Sequence, residues 1–166
     1  MMDVLKPYRI PFIGLKEGVH HFEFRLDGAF FQVFENEELT DSHFDVQVSL
    51  DKKTTMLEVQ YDIRGEFVTS CDRCSQDLII PMVMERELIA KSHGDLDDDD
   101  IIALSDTDTE VDLSRSLYET VAIGLPLKRA HDEEDCDPEV IDRLDSYSRK
   151  ELEDSDPRWD ALKKLK

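Results

Sequence analysis

The chain has 166 residues, 40 of them Asp or Glu against 20 Lys or Arg, which gives a formal charge of −20 and a pI near 4.4. Lys and Arg supply most nonspecific affinity for phosphate backbones, so this balance excludes a protein that coats RNA, DNA or an anionic membrane by bulk electrostatics. At 40% hydrophobic residues there is material for a core, and the length fits one domain with appendages or at most two small ones.

The first half of the chain alternates with a period of two. Phe22, Phe24 and Leu26 fall on one face while His21, Glu23, Arg25 and Asp27 fall on the other. The pattern repeats over Phe44, Val46, Val48 and Leu50, and again over Leu57, Val59, Tyr61 and Ile63. Such alternation predicts half-buried strands in an antiparallel sheet with one wet face. The apolar spacing of Ala29, Phe30, Phe31, Val33 and Phe34 predicts a short helix between the first two strands, and the polar residues 51–55 suit a hairpin connection. From Gly65 the third strand either continues or restarts through Phe67 and Val68 into Cys71. A further strand is predicted from Leu78 to about Ala90, with Pro81 favouring an edge or a bulge because it has no N–H to donate.

Residues 95–112 then carry a dense acidic run with no Lys or Arg, centred on Asp97, Asp98, Asp99 and Asp100. Like-charge blocks are solvated, so a loop is expected here. Asp106, Asp108 and Glu110 mimic the first ligands of a calcium loop, but Val111 stands where the turn needs Gly and Leu117 where the last ligand should be Glu. Helical spacing takes over at Asp112, a suitable N-cap, with Leu113, Leu117, Tyr118, Val121 and Leu125 on one stripe and Pro126 as the stop. Asp137-Pro138 and Asp156-Pro157 read as N-cap and N1 pairs of two more helices. The first presents Val140, Ile141, Leu144 and Leu152; the second, short and basic, carries Arg158, Trp159, Leu162 and Leu165. A helix of that length is marginal alone, so Trp159 anchors it either in this domain or on a partner.

There is no phosphate-binding glycine loop, nucleophile elbow or HExxH, and the chain has only six glycines. Nothing pairs a nucleophile with an oriented base, so no catalytic residues are assigned. The chemistry-bearing group is Cys71-Asp72-Arg73-Cys74, in the turn between two strands. Two thiolates at this spacing supply half of a tetrahedral zinc site, and His131 with Cys136 is the natural completion. A redox dithiol fits less well, because that motif precedes a helix whereas a strand follows here. Reduced cysteines packed as small apolar side chains remain the third reading. No run approaches the ~18 apolar residues of a membrane span, and the first residues lack the apolar run of a secretory signal. A cytoplasmic, membrane-free protein is expected.

Three segments together resemble the YceD-like family of large ribosomal RNA subunit accumulation proteins. They are the Cys71–Cys74 knuckle, the stretch from Leu125-Pro126-Leu127 through His131 to Cys136-Asp137-Pro138, and the ending Asp156-Pro157-Arg158-Trp159. The resemblance implies a bacterial or organellar protein, not known as an enzyme, that serves ribosome biogenesis. Combined with the charge, it points to action through a basic ribosomal or ribosome-assembly protein held by acidic segments, with Asp97–Asp100, Arg158 and Trp159 as candidate partner contacts. The alternative is a zinc-stabilised module that contacts RNA directly near Lys128, Arg129 and the basic tail. The expected architecture is α+β: residues 1–130 form an antiparallel sheet with packing helices and the acidic 95–112 loop, and residues 131–166 form a helical extension.

Overall fold

A computed structural model describes residues 4–92 and 99–153. Five strands form one sheet in the order β2-β3-β4-β5-β6, and two short strands, β1 (Arg9–Pro11) and β7 (Glu110–Asp112), pair antiparallel apart from it. The large sheet comprises β2 (Gly18–Asp27), β3 (Ser42–Lys52), β4 (Met56–Ser70), β5 (Asp77–Ser92) and β6 (Ile101–Leu104). The alternation sets its register: Phe24 lies opposite Val46, and Val46 opposite Ile63. Leu26, Phe44, Val46, Val48, Leu50, Val59, Tyr61 and Ile63 are all buried on the dry face, as the period-two pattern requires.

Gly65 does not break β4, which runs through it to Ser70. A side chain at Gly65 would strike the His43 carbonyl oxygen and come within 2.6 Å of Phe44 Cα, so only glycine lets β3 and β4 lie this close. β6 pairs with β5 only from Ile89 to Ser92, leaving Pro81 on a stretch that β6 does not cover. That pairing is parallel, so the sheet is mixed rather than wholly antiparallel. The expected loop over 95–112 is corrected by the same strand, and by β7. Ile102 and Leu104 pack against the core and Val111 is fully buried. The density of acids in the window concealed an apolar run with its own packing partners.

The short helix α1 (Gly28–Gln32) starts where Asp27 accepts the Phe30 N–H at 3.1 Å. It carries Phe30 and Phe31 into the core. Helix α2 (Ser114–Gly124) places Leu117 and Val121 in the same core. Its N-cap is Leu113 rather than Asp112, although the Asp112 carboxylate still accepts the Ser114 N–H at 2.9 Å. Helix α3 (Pro138–Glu153) begins at the predicted Asp-Pro pair, with Asp137 accepting the Glu139 N–H at 2.9 Å. Val140 and Ile141 are packed as expected, but Leu144 is exposed. The helix predicted around Arg158 and Trp159, and residues Asp97 and Asp98, lie outside the described residues.

Contacts divide the chain into two units, Met1–Thr69 with Ile79–Leu127, and Ser70–Leu78 with Lys128–Lys166. The turn between β4 and β5 thus groups with the C-terminal segment. The first unit holds the aliphatic and aromatic core. In the second, the buried apolar group among the described residues is Cys71, Cys74 and Cys136, with Leu78, Ala130, Val140 and Ile141 partly buried around it.

Candidate functional site

The β4–β5 connection is a knuckle. Ser75 donates its N–H to the Cys71 carbonyl at 2.8 Å, and Cys71 donates its own to the Gln76 carbonyl at 2.8 Å. Closing so tight a turn takes Ser75 into the left-handed region at φ 59°, a conformation few non-glycine residues adopt. The turn aims the Arg73 N–H at Cys71 Sγ, 3.4 Å away. The returning segment is fastened to this knuckle from both sides. Asp72 donates its N–H to the Arg129 carbonyl at 2.6 Å, while its carboxylate accepts the Arg129 N–H at 2.8 Å. The Arg73 guanidinium donates to the His131 carbonyl.

These bonds gather Cys71, Cys74, His131 and Cys136 so that their four ligand atoms all lie within 4.8 Å of one another. Cys71 Sγ is 3.9 Å from Cys136 Sγ, and Cys74 Sγ is 3.5 Å from His131 Nδ1. The edges of a tetrahedral zinc site with ordinary bond lengths are ~3.8 Å for sulfur to sulfur and ~3.6 Å for sulfur to nitrogen. His131 is also oriented for ligation. Its Nε2 lies 3.1 Å from the Asp77 carbonyl, which can only accept, so Nε2 carries a proton and Nδ1 faces the thiols, where the neutral form of the ring would offer its lone pair to a metal.

The thiols are not equivalent. Burial alone would raise Cys71, but the backbone N–H groups of Cys74, Arg73 and His131 hold its thiolate and bring it down to about 5. Backbone N–H groups of Gln76 and Asp137 lower Cys74 in the same way. Burial, reinforced by the neighbouring sulfurs of Cys71 and Cys74, pushes Cys136 up to about 11. Hydrogen bonds to Cys74 and Cys71 raise His131. In this arrangement negative charge sits at the knuckle and a proton is retained opposite it.

The wet face of the large sheet is the second feature, and motif reasoning did not single it out. Its strands present Glu23, Asp45, Asp51, Glu58, Asp62, Glu66, Glu85 and Glu87 against Arg25, Arg64 and Lys91. The signal was present in the polar half of each alternating strand. Of the acidic loop residues proposed as partner contacts, Asp99 offers its carbonyl to Arg86 at 2.6 Å, and the Asp100 carboxylate lies 3.5 Å from the same guanidinium. Both are thus tied to the sheet.

The fold and this group of side chains define a small α+β protein with a three-cysteine, one-histidine cluster. No helix among the described residues is long and apolar enough to cross a membrane. Residues 59–166 match the family model described as Large ribosomal RNA subunit accumulation protein YceD, and the chain belongs to that family. The match begins within β4 and takes in the knuckle and the returning segment with His131 and Cys136. No curated protein and no solved structure matches the chain.

Proposed function

We propose that this chain supports accumulation of large-subunit ribosomal RNA as a non-enzymatic cytoplasmic factor that holds a basic ribosomal or ribosome-assembly protein. The observation that carries this reading is the net charge of −20, part of which is displayed on an ordered sheet face. A surface of that sign repels phosphate and draws a Lys- and Arg-rich partner, raising its rate of encounter. Pull-down from lysate tests it. Basic large-subunit proteins should be recovered at low salt and lost as ionic strength rises; recovery of ribosomal RNA in place of those proteins would contradict the reading.

A specific observation favours a second element, a zinc ion at Cys71, Cys74, His131 and Cys136. The second unit buries few apolar side chains, and units this small commonly need a metal or disulfides to stay folded. The four-ligand geometry suits zinc, whose role would be to fasten the His131–Cys136 segment to the knuckle. In the alternative mechanism, the unit so stabilised contacts RNA directly near Lys128 and Arg129. Elemental analysis of protein purified without chelator should find about one zinc per chain, because structural sites bind tightly. Less than about half an equivalent would count against it.

A further inference from the structure

The wet face of the sheet is not uniform. An open groove of about 730 Å³ crosses it, walled by carboxylates and floored by aliphatic side chains. Asp51 and Glu58 are direct cross-strand partners, with Glu87 and Asp100 further along the wall. Val19, 57% exposed on edge strand β2, and Ile89, 37% exposed on β5, supply apolar contact surface. Two features set this groove apart from an ordinary solvated sheet face. Like charges directly opposite on neighbouring strands destabilise a sheet, yet Asp51 and Glu58 occupy such a pair; Lys53 pairs with Glu58 and Arg86 lies against Asp100, which leaves Asp51 and Glu87 as the wall carboxylates for which no ion pair with a described residue is seen. Aliphatic side chains also stand exposed between the acids, where solvation alone favours polar residues.

We propose that this groove is the docking site for the basic partner, and that it takes a short Lys- or Arg-rich segment carrying at least one aliphatic or aromatic anchor. This rests on the partner reading above and adds where, and by what chemistry, the partner is held. The carboxylates receive the cationic side chains while Val19 and Ile89 receive the anchor. The same carboxylates disfavour RNA, and a second copy of a chain at −20 is repelled over the whole surface. The volume is in the range of pockets that enclose several side-chain groups.

The test must separate docking from general attraction. The probe is the protein fraction stripped by high salt from purified large ribosomal subunits, passed over the immobilised full-length chain, with retained proteins quantified by mass spectrometry. Val19→Asp adds negative charge while removing apolar contact on an exposed edge position, and Ile89→Asp does the same on β5. General attraction predicts unchanged or stronger retention by both. Docking in the groove predicts at least ten-fold weaker retention by both, with near-UV and far-UV dichroism unchanged. A triple neutralisation, Asp51→Asn with Glu58→Gln and Glu87→Gln, should weaken retention at least ten-fold. The equal charge change at Glu37→Gln, Glu38→Gln and Asp41→Asn, before β3, should weaken it less than two-fold.

Equal retention by the groove variants and the unsubstituted chain would overturn the groove and leave the partner reading standing. No retention of basic subunit proteins by the unsubstituted chain would overturn both. A self-association or RNA retention abolished by the groove substitutions would assign the site to another occupant and overturn the proposal.

Discussion

The two units hold themselves together by different means. In the sheet unit, Phe30, Phe31, Phe44, Tyr61, Phe67 and their aliphatic neighbours are fully buried, and burial of that kind is the main driving force of folding. In the second unit, sulfur atoms and backbone hydrogen bonds occupy the place of a core. The contrast teaches that stability is apportioned by chemistry: the sheet can present an unfavourably charged face because its other face is well packed, whereas the second unit has, among its described residues, only a small sulfur-centred cluster and backbone hydrogen bonds to close it.

The largest expected effect lies in the sheet. Phe44→Ala removes a ring that packs against Phe31 at 5.9 Å between centroids, and should cost ~3–5 kcal/mol by urea denaturation. If the loss were as small as that of a surface change, the sheet would not be the seat of stability. The next effect sharpens the difference between the units. Removing zinc with a chelator, or replacing Cys136 with Ser, should abolish amide protection in residues 128–141 while leaving residues 42–67 protected, as followed by hydrogen exchange. Loss of protection in both regions together would erase the distinction.

A smaller effect reports on protonation. Zinc binds thiolates, and in the free cluster Cys71 lies at about 5 while Cys136 is pushed up to about 11. At pH 7.5 the Cys71 proton is already gone and the Cys136 proton is still bound. Zinc binding should therefore release at least one proton, and the apparent affinity should fall as pH is lowered because protons compete for the ligands. Calorimetry in buffers of different ionisation enthalpy measures the release, and a value near zero would contradict this assignment of the thiols. The smallest effect concerns a cap. Asp137→Ala removes the acceptor of the Glu139 N–H and should cost ~1 kcal/mol in the second unit of the zinc-loaded protein, visible as faster exchange at the start of α3.

What could be read in advance follows the range of the interactions involved. Strands β2, β3 and β4 were legible because alternation is a local signal that burial converts directly into register. The four residues of the cluster were legible for the same reason: Cys71 with Cys74, and His131 with Cys136, are each local pairs. Bringing the two pairs together across the chain was an expectation that chain topology had to meet. Strand β6 was hidden because its short apolar run lacks alternation and sits among acids, and its parallel pairing with β5 has no local signature. The Asp77 carbonyl that orients His131 and the two-way clamp between Asp72 and Arg129 use backbone atoms, which every residue has. The groove was written in the polar positions of the strands, but only pairing them side by side shows Asp51 facing Glu58.

On the proposal made above, this family member serves ribosomal RNA through a protein partner held on the acidic sheet. Crosslinking in cells assembling large subunits tests it most directly, with photoreactive residues placed at Val19 and at Gln60 on the same face and the captured species identified by mass spectrometry and RNA sequencing. Crosslinks to a Lys- and Arg-rich large-subunit or assembly protein are expected at both positions. Crosslinks from those positions to large-subunit ribosomal RNA, without any such protein, would contradict it.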